Sequence, residues 1–116
     1  MKGHLYDTSV WVSHFSKRRS EQLSSDLEAN LVAMHPFVLG ELLLGGLPQS
    51  LYRDLFALNQ VRVAASEEIY PFIQRHRLQN QGIGWVDAHL LFSALSEGIP
   101  LQTLDRNLGN LWRRLA

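Results

Sequence analysis

Short apolar runs alternate along the chain with longer stretches in which apolar positions recur every three or four residues. The longer stretches are typical of amphipathic helices, and the short runs are typical of buried strands. Strands are predicted at residues 4–7, 31–35, 61–64 and 101–104. Helices are predicted from residue 8, where Thr8 and Ser9 supply helix-start hydroxyls, and over residues 20–30, 36–45, 48–58, 66–80, 85–97 and 106–115. This alternation favours a parallel sheet with helices on both faces.

Composition limits the classes of protein that the chain can belong to. Its 116 residues contain no repeat or linker, so we expect a single domain over residues 1–116. Eleven basic residues balance eleven acidic residues, which argues against binding of nucleic acid through a broad basic surface. Any contact with RNA or DNA must then be local. The chain has no cysteine, which excludes disulfides, thiolate nucleophiles and thiolate zinc sites.

The sequence predicts neither a membrane span nor an export signal. Its most apolar stretch, residues 38–47, is interrupted by Glu41 and has about half of the roughly 20 residues that a span needs. The amino terminus has Lys2 and His4 but no apolar signal core before Asp7. We therefore expect a soluble protein that stays in a reducing cytoplasm.

Three aspartates fall where helices are predicted to begin. Asp7 follows the first strand, Asp105 follows the fourth, and Asp87 lies in the first turn of the helix after Gly84. In a parallel sheet these positions meet at the carboxyl edge of the strands, where ligands bind in folds of this kind. Aspartate is also a favoured helix-capping residue, so capping alone is an open alternative for each of them.

Glu41 is harder to explain as a structural residue. It is the one charged residue in the predicted helix over residues 36–45, and residues one turn away include Phe37, Val38 and Leu44. A helix that is apolar all round predicts burial. A buried carboxylate needs a cation, a partner or a pocket open to water, because burying it alone costs several kcal/mol. A salt bridge to a core arginine remains the structural alternative.

Four carboxylates gathered within a few ångströms would repel one another unless a cation lay between them. An all-oxygen donor set with few or no histidines suits Mg²⁺ or Mn²⁺, and Mg²⁺ sites are commonly completed by substrate phosphates. The chemistry that this arrangement indicates is cleavage of a phosphodiester by a metal-activated water, without a covalent protein nucleophile.

Four short motifs, in order along the chain, each carry one of these acids. They read HLYDTSVWV around Asp7, HP followed by GEL around Glu41, GIGWVDAHLL around Asp87 and TLDRNL around Asp105. Together they resemble the PIN-domain ribonucleases, most of all the VapC toxins of bacterial toxin–antitoxin pairs. The resemblance extends from about residue 4 to residue 115.

The resemblance implies a three-layer α/β/α sandwich around a parallel sheet of four or five short strands. It also implies Mg²⁺- or Mn²⁺-dependent endoribonuclease activity, a homodimer, and inhibition by a small VapB-like antitoxin. Asp7, Glu41, Asp87 and Asp105 match the family's catalytic and metal-binding acids, with Asp7 and Asp87 as direct ligands and the other two acids direct or through water. Supporting hydroxyls match at Thr8, Ser9 and Thr103.

Other polar and aromatic residues have simpler interpretations. The five histidines show no close metal-binding spacing, and His89 is expected to pack or face solvent. Basic residues at 17–19, at 75 and 77, and at 106 are candidates for contact with RNA, although such residues usually form solvated faces. Aromatic residues at helical spacing are expected in the core or in a dimer interface: Trp11, Phe15, Phe37, Phe56, Trp85 and Trp112. Many leucines over residues 20–58 favour an apolar face for a dimer or an antitoxin.

Three classes of competing function can be compared with the same residues, and the first comprises an aspartyl phosphatase and a receiver domain. An aspartyl phosphatase requires a second aspartate two residues after the first, where this chain has Ser9. A receiver domain requires a lysine late in the sequence, and this chain has no lysine after Lys17. A non-catalytic PIN-like binding module would need the acids only as caps, and Glu41 argues against it. A housekeeping PIN nuclease without an antitoxin remains the third alternative.

Overall fold

Four parallel strands form the central sheet of the protein, in a computed structural model that describes residues 3–116. The strands are β1 (His4–Tyr6), β2 (Val32–Met34), β3 (Asn59–Gln60) and β4 (Leu101–Gln102). Their order across the sheet is β3-β2-β1-β4. In the pairing register, Leu5 lies opposite Ala33 on one side and Leu101 on the other. The parallel sheet expected from the alternating pattern is therefore confirmed, with four strands.

Helices fill the connections between these strands. Their bounds are α1 (Thr8–Ser16), α2 (Glu21–Glu28), α3 (Pro36–Leu44), α4 (Gln49–Phe56), α5 (Ser66–His76), α6 (Trp85–Glu97) and α7 (Arg106–Leu115). The predicted bounds of α6 and α7 are confirmed to the residue, whereas α2, α4 and α5 are shorter than predicted. Helix α5 ends just before Arg77, whose left-handed backbone angle φ of 53° cannot continue a helix.

The third strand is misplaced in the sequence prediction. The apolar run at residues 61–64 is not a strand, and β3 is Asn59–Gln60 instead. The reason lies in its partner, because Gln60 pairs with Met34 at the end of β2, and the Val61 N–H donates the last ladder bond to the Met34 carbonyl. Beyond Met34 the chain turns into α3 at Pro36, so residues after Val61 have no strand to pair with.

The direction in which the chain adds strands to the sheet reverses at β1. From β1 the chain moves outward to β2 and β3, then returns across the sheet to β4 on the other side of β1. Because crossovers between parallel strands are almost always right-handed, these opposite directions predict α1–α4 on one face of the sheet and α5 and α6 on the other. Packing agrees, since α3 contacts α1 and α4, and α6 contacts α5 and α7. Ligands bind in open sheets at such a reversal, beyond the carboxyl ends of the strands.

The expectation that α3 is buried all round is wrong. Helix α3 is not buried all round, because Leu44 is 91% exposed and Leu43 is also exposed, and Glu41 lies on the exposed side with them. Three of the aromatic residues expected in the core or an interface, Phe15, Phe56 and Trp85, are exposed in the single chain. The core instead centres on β1, β2 and the inner sides of α1 and α6, with Trp11, Leu23 and Leu91 fully buried.

Within residues 3–116, no helix combines the length and the apolar character that crossing a lipid bilayer requires.

Candidate active site

Asp7 lies at the point where β1 becomes α1, and both of its carboxylate oxygens accept hydrogen bonds. Oδ1 accepts from the Ser9 hydroxyl at 2.5 Å and from the Val10 backbone N–H at 3.2 Å, and Oδ2 accepts from the Thr103 hydroxyl. The Val10 bond caps α1. The residue is buried, with a relative exposure of only 5%. Asp7 is therefore held in one orientation by donors from two separate elements.

Asp105 lies at the matching position after β4. Its Oδ1 accepts the Asn107 backbone N–H at 3.1 Å and so caps α7. Its own backbone N–H donates to Thr103 Oγ1 at 3.0 Å, the same hydroxyl that donates to Asp7. Because β1 and β4 are neighbours in the sheet, the carboxyl ends of both strands bring these two acids to the point of reversal.

Glu41 reaches the same region from the middle of α3. Its Oε1 accepts a hydrogen bond of 2.5 Å from the Thr8 hydroxyl in the first turn of α1. Among residues 3–116 the ion pairs are His4 with Asp26 and Arg62 with Glu68, so Glu41 is not neutralised by an arginine in the described part of the chain. The structural alternative for Glu41, a core salt bridge, is therefore wrong.

Asp87 is an acid of the cluster whose charged form is disfavoured by its surroundings. Burial raises its pKa, and the carboxylates of Asp7, Asp105 and Glu41 raise it further, against a hydrogen bond from the Gly84 N–H that lowers it. The Gly84 bond is 3.1 Å long and closes the first turn of α6. The other three acids therefore act electrostatically on Asp87, although the four come from four different elements.

The capping interpretation is correct for the three aspartates but does not account for the cluster. Asp7, Asp87 and Asp105 each accept a backbone N–H at a helix start. Glu41 is in the middle of a helix and caps nothing. Caps alone also need no common location, whereas these acids come close enough to raise the pKa of Asp87 together. A cluster of like charges at a sheet reversal indicates a ligand that carries positive charge.

The donor set fits a hard divalent cation, because it consists of carboxylate oxygens supported by hydroxyls. Within residues 3–116, however, no three side chains from His, Cys, Asp and Glu are close enough to one another to hold a single ion. Mg²⁺ keeps several waters and is commonly bound by only one or two carboxylates, so this spacing agrees with fewer direct ligands.

The three supporting hydroxyls all contact the acids or the loops that carry them. Thr8 donates to Glu41, Ser9 donates to Asp7, and Thr103 donates to Asp7 and accepts from Asp105. Ser9 Oγ also accepts the Leu104 backbone N–H at 3.0 Å, which ties the β4–α7 loop to α1. This last contact is not apparent from the sequence, because it depends on a backbone group.

Two histidines form a buried group beside the acids. His35 and His89 are almost fully buried, their ring centroids are 6.0 Å apart, and Phe37 packs against both rings. His35 Nδ1 accepts the Phe37 N–H at 2.9 Å and caps α3. Burial lowers the pKa of His35 to about 4, with a further contribution from His89. His89 therefore packs, as one of the two sequence interpretations expected.

Gly82 is a residue whose importance the sequence indicates only indirectly. Its backbone φ is +75°, and a Cβ there would lie 2.4 Å from the Asn107 side-chain nitrogen. Asn107 donates to the Gly82 carbonyl at 3.4 Å, so the loop before α6 leans against the start of α7. This contact connects the elements that carry Asp87 and Asp105, and the GIG motif is its signal in the sequence.

Comparison with known proteins agrees with this arrangement. Residues 5–112 match the PIN domain. Ribonuclease VapC32 of Mycobacterium tuberculosis, found in two strains, is 41% identical over 109 residues, which cover 90% of this chain and 86% of the relative. The crystal structure of PAE2754 from Pyrobaculum aerophilum is similar in fold, with a TM-score of 0.57 at 15% identity over 98% of this chain and 95% of that chain. The chain therefore belongs to the PIN-domain family, in its VapC-type branch.

Proposed function

We propose that the protein is a VapC-type endoribonuclease toxin that hydrolyses RNA phosphodiester bonds with water as the nucleophile. The observation that carries this proposal is the convergence of four carboxylates at the reversal of the sheet, where three of them raise the pKa of the fourth. The hydroxyls at this site, those of Thr8, Ser9 and Thr103, all donate to carboxylates of the cluster, and a cluster of acids is suited to hydrolysis that depends on a divalent cation.

Mg²⁺ or Mn²⁺ is the cofactor that this donor set favours. Asp7 and Asp87 would hold the ion directly, with Glu41 and Asp105 bound to it directly or through water. When bound, a divalent cation acidifies water and offsets the charge of the phosphate that is attacked.

The side chains around the acids have positioning roles in this proposal. Ser9 and Thr103 fix the two oxygens of Asp7, and the Gly84 N–H fixes one oxygen of Asp87. Thr8 holds Glu41 from the neighbouring helix. The Gly84 N–H also lowers the pKa of Asp87 and so favours its ionised form.

A VapB-like antitoxin is the partner that we propose. An apolar pocket of about 210 Å³ lies among α1, α3 and α4, and Glu41 is among the residues that line it. Its other lining residues include Phe15, Leu42 and Leu51, so an apolar segment placed there would also cover one acid of the site. We further propose that the toxin is a homodimer in the cytoplasm.

Cleavage of RNA by the purified protein tests this function. We expect single-stranded RNA to be cut with Mg²⁺ or Mn²⁺, not with a chelator, and not by Asp7→Asn or Asp87→Asn. Asp54→Asn is the matched control, because Asp54 is an exposed aspartate on α4 outside the cluster. Unchanged cleavage by both site variants would contradict the proposed metal site. Partner binding without any cleavage by the wild type would favour a non-catalytic module.

The antitoxin needs its own test, because a housekeeping PIN nuclease would show the same cleavage. Expression of the wild type should arrest growth, and co-expression of an adjacent small reading frame should restore it and yield a stable complex. Phe15→Ser, in the apolar pocket, should weaken that complex but leave cleavage by the free protein intact. Growth that is unaffected by expression of an active enzyme would identify the housekeeping alternative.

A further inference from the structure

Electrostatic repulsion is a problem that any RNA must overcome at this site. Four carboxylates belong to the proposed site, and the chain as a whole carries a formal net charge of zero. RNA is a polyanion whose affinity for proteins comes largely from contacts of lysine and arginine with phosphates. A cation within the acid cluster can offset charge at the cleaved phosphate but not along the rest of the strand. Basic side chains close to the cluster are therefore needed.

The loop between α1 and α2 supplies such side chains. Arg18 and Arg19 line a pocket of about 460 Å³ together with Ser13, Ser20, Val10, Glu21 and Leu104. Both arginines are exposed, and neither is in an ion pair within residues 3–116. Glu21 is the one carboxylate among the lining residues, so the two guanidinium groups outnumber the acid. The pocket is therefore a local basic surface on a chain without a global one.

This pocket adjoins the acid cluster through two lining residues. The Val10 N–H donates to Asp7 Oδ1, and the Leu104 N–H donates to Ser9 Oγ, which itself donates to Asp7. Leu104 directly precedes Asp105 and is 66% exposed. The pocket and the acid cluster are thus both formed in part by the β1–α1 junction and the β4–α7 junction.

The charge of Arg19 is directed back toward α1. Burial lowers the pKa of His14, and the positive charge of Arg19 lowers it further, so the guanidinium lies near this helix. The His14 ring also accepts the Ser20 N–H at 2.9 Å, which folds the loop against the last turn of α1. As a result, the loop backbone is held beside the pocket by a specific contact.

We infer that Arg18 and Arg19 form a subsite for backbone phosphates of the RNA strand as it leaves the acid cluster past Leu104. This inference rests on the proposed ribonuclease function and names where its substrate is held. Guanidinium groups bind phosphate oxygens with paired hydrogen bonds, which gives orientation as well as affinity. Such contacts position the strand without reading its sequence.

A second basic pair in the chain provides the matched control. Arg75 and Arg77 are also exposed, lie at the end of α5, and are not among the residues that line this pocket. Removal of either pair changes the net charge by the same amount. General attraction of RNA to the protein would therefore respond equally to both changes, whereas a subsite at the acid cluster would respond to only one.

The experiment compares two double variants, Arg18→Gln with Arg19→Gln and Arg75→Gln with Arg77→Gln. Binding of a labelled single-stranded RNA is measured in an Asp7→Asn background with Mg²⁺, so that no cleavage intervenes. The first pair should weaken binding about 10-fold and reduce the slope of log affinity against log salt by about 0.7 for each phosphate that the protein no longer binds. The second pair should change affinity less than about 2-fold.

Kinetics in the active protein give an independent readout. The Arg18 and Arg19 variant should raise KM with kcat nearly unchanged, because these arginines hold substrate and transition state alike. Lysine at both positions should restore most of the affinity, and the melting temperature should stay at the wild-type value. Equal losses in both double variants, or no loss in either, would overturn the subsite. Binding that depends on Arg18 and Arg19 in a wild type that never cuts RNA would refute the nuclease but support the subsite.

Discussion

The Thr103 hydroxyl donates a hydrogen bond to Asp7 Oδ2, although 96 residues separate the two in the sequence. The register of the sheet produces this contact, because Leu5 pairs with Leu101 and Tyr6 pairs with Gln102. The residues that follow each strand, Asp7 and Thr103, therefore lie opposite each other. The same hydroxyl oxygen accepts the Asp105 N–H. One threonine thus links the first and the last acid of the site.

Thr103→Val should therefore impair the site more than it impairs the fold. Loss of the hydroxyl frees one oxygen of Asp7 and leaves the Asp105 N–H without its acceptor. Residues that support metal ligands typically change metal affinity or activity about 10–100-fold, and we expect a loss of cleavage in that range. The free energy of unfolding should fall by about 1–2 kcal/mol. Cleavage assays across Mg²⁺ concentrations and denaturant unfolding measure both. Thr103→Ser keeps the hydroxyl and should retain most activity, and a serine variant as impaired as the valine variant would contradict the role of the hydrogen bond.

Glu41→Gln should separate activity from stability. Glu41 is exposed, and its carboxylate is held by the Thr8 hydroxyl, so its charge contributes little to the fold. We expect cleavage to fall at least about 10-fold, since a charge is removed from the site. The free energy of unfolding should stay within about 0.5 kcal/mol of the wild type. Thr8→Val tests the positioning contact and should have a smaller effect on cleavage than Glu41→Gln. A marked loss of stability in Glu41→Gln would mean that Glu41 has a structural role instead.

Asp87→Asn should stabilise the protein while it abolishes cleavage. In the folded protein burial and three neighbouring carboxylates raise the pKa of Asp87, so its ionised form opposes folding at neutral pH. An asparagine keeps an acceptor for the Gly84 N–H but removes the charge. Without metal at pH 7 and low salt, the melting temperature should rise by about 2–4 °C.

The pH dependence of this gain follows from the sign of the shift. A raised pKa means that the folded state binds the proton more readily than the unfolded state, so Asp87 opposes folding less as the pH falls. The difference in melting temperature between wild type and Asp87→Asn should therefore shrink toward acidic pH. Mg²⁺ should stabilise the wild type more than the variant. Asp54→Asn should show none of these effects, and equal stabilisation by both asparagine variants would remove the cluster as the cause.

Local signals in the sequence were sufficient for the helices near the site. Gly84 and Gly98 cap the two ends of α6, and Asp105 caps the start of α7. The predicted limits of both helices are therefore confirmed. The end of β3 depends on β2, which stops before Pro36, and no pattern within residues 59–64 contains that information. The limits of β3 are therefore set by β2, which is distant in the sequence.

The site residues likewise include positions that the local sequence predicts and contacts that depend on distant parts of the chain. The positions of the acids after strands and at helix starts predicted their shared edge of the sheet, which the raised pKa of Asp87 reflects. Their partners among the hydroxyls depend on the register of β1 with β4 and on the packing of α1 against α3. The exposure of Glu41 was not predicted, because the apolar residues of α3 indicate burial by pattern, whereas Leu43 and Leu44 lie on an open surface.

His35 should give the protein a measurable sensitivity to acid. Burial lowers its pKa from the ordinary 6.5 to about 4 in the folded state, so the unfolded state binds the proton first as the pH falls. Stability from neutral His35 is therefore fully present above about pH 6.5 and is lost progressively as the pH falls toward 4. In His35→Asn the amide oxygen can still cap the Phe37 N–H, but no proton is taken up at this position. Melting temperatures between pH 7 and pH 4 should fall less steeply in His35→Asn than in the wild type. His76→Asn, which replaces a histidine outside the buried pair, should keep the wild-type slope, and an equal flattening by both variants would exclude His35 as the source.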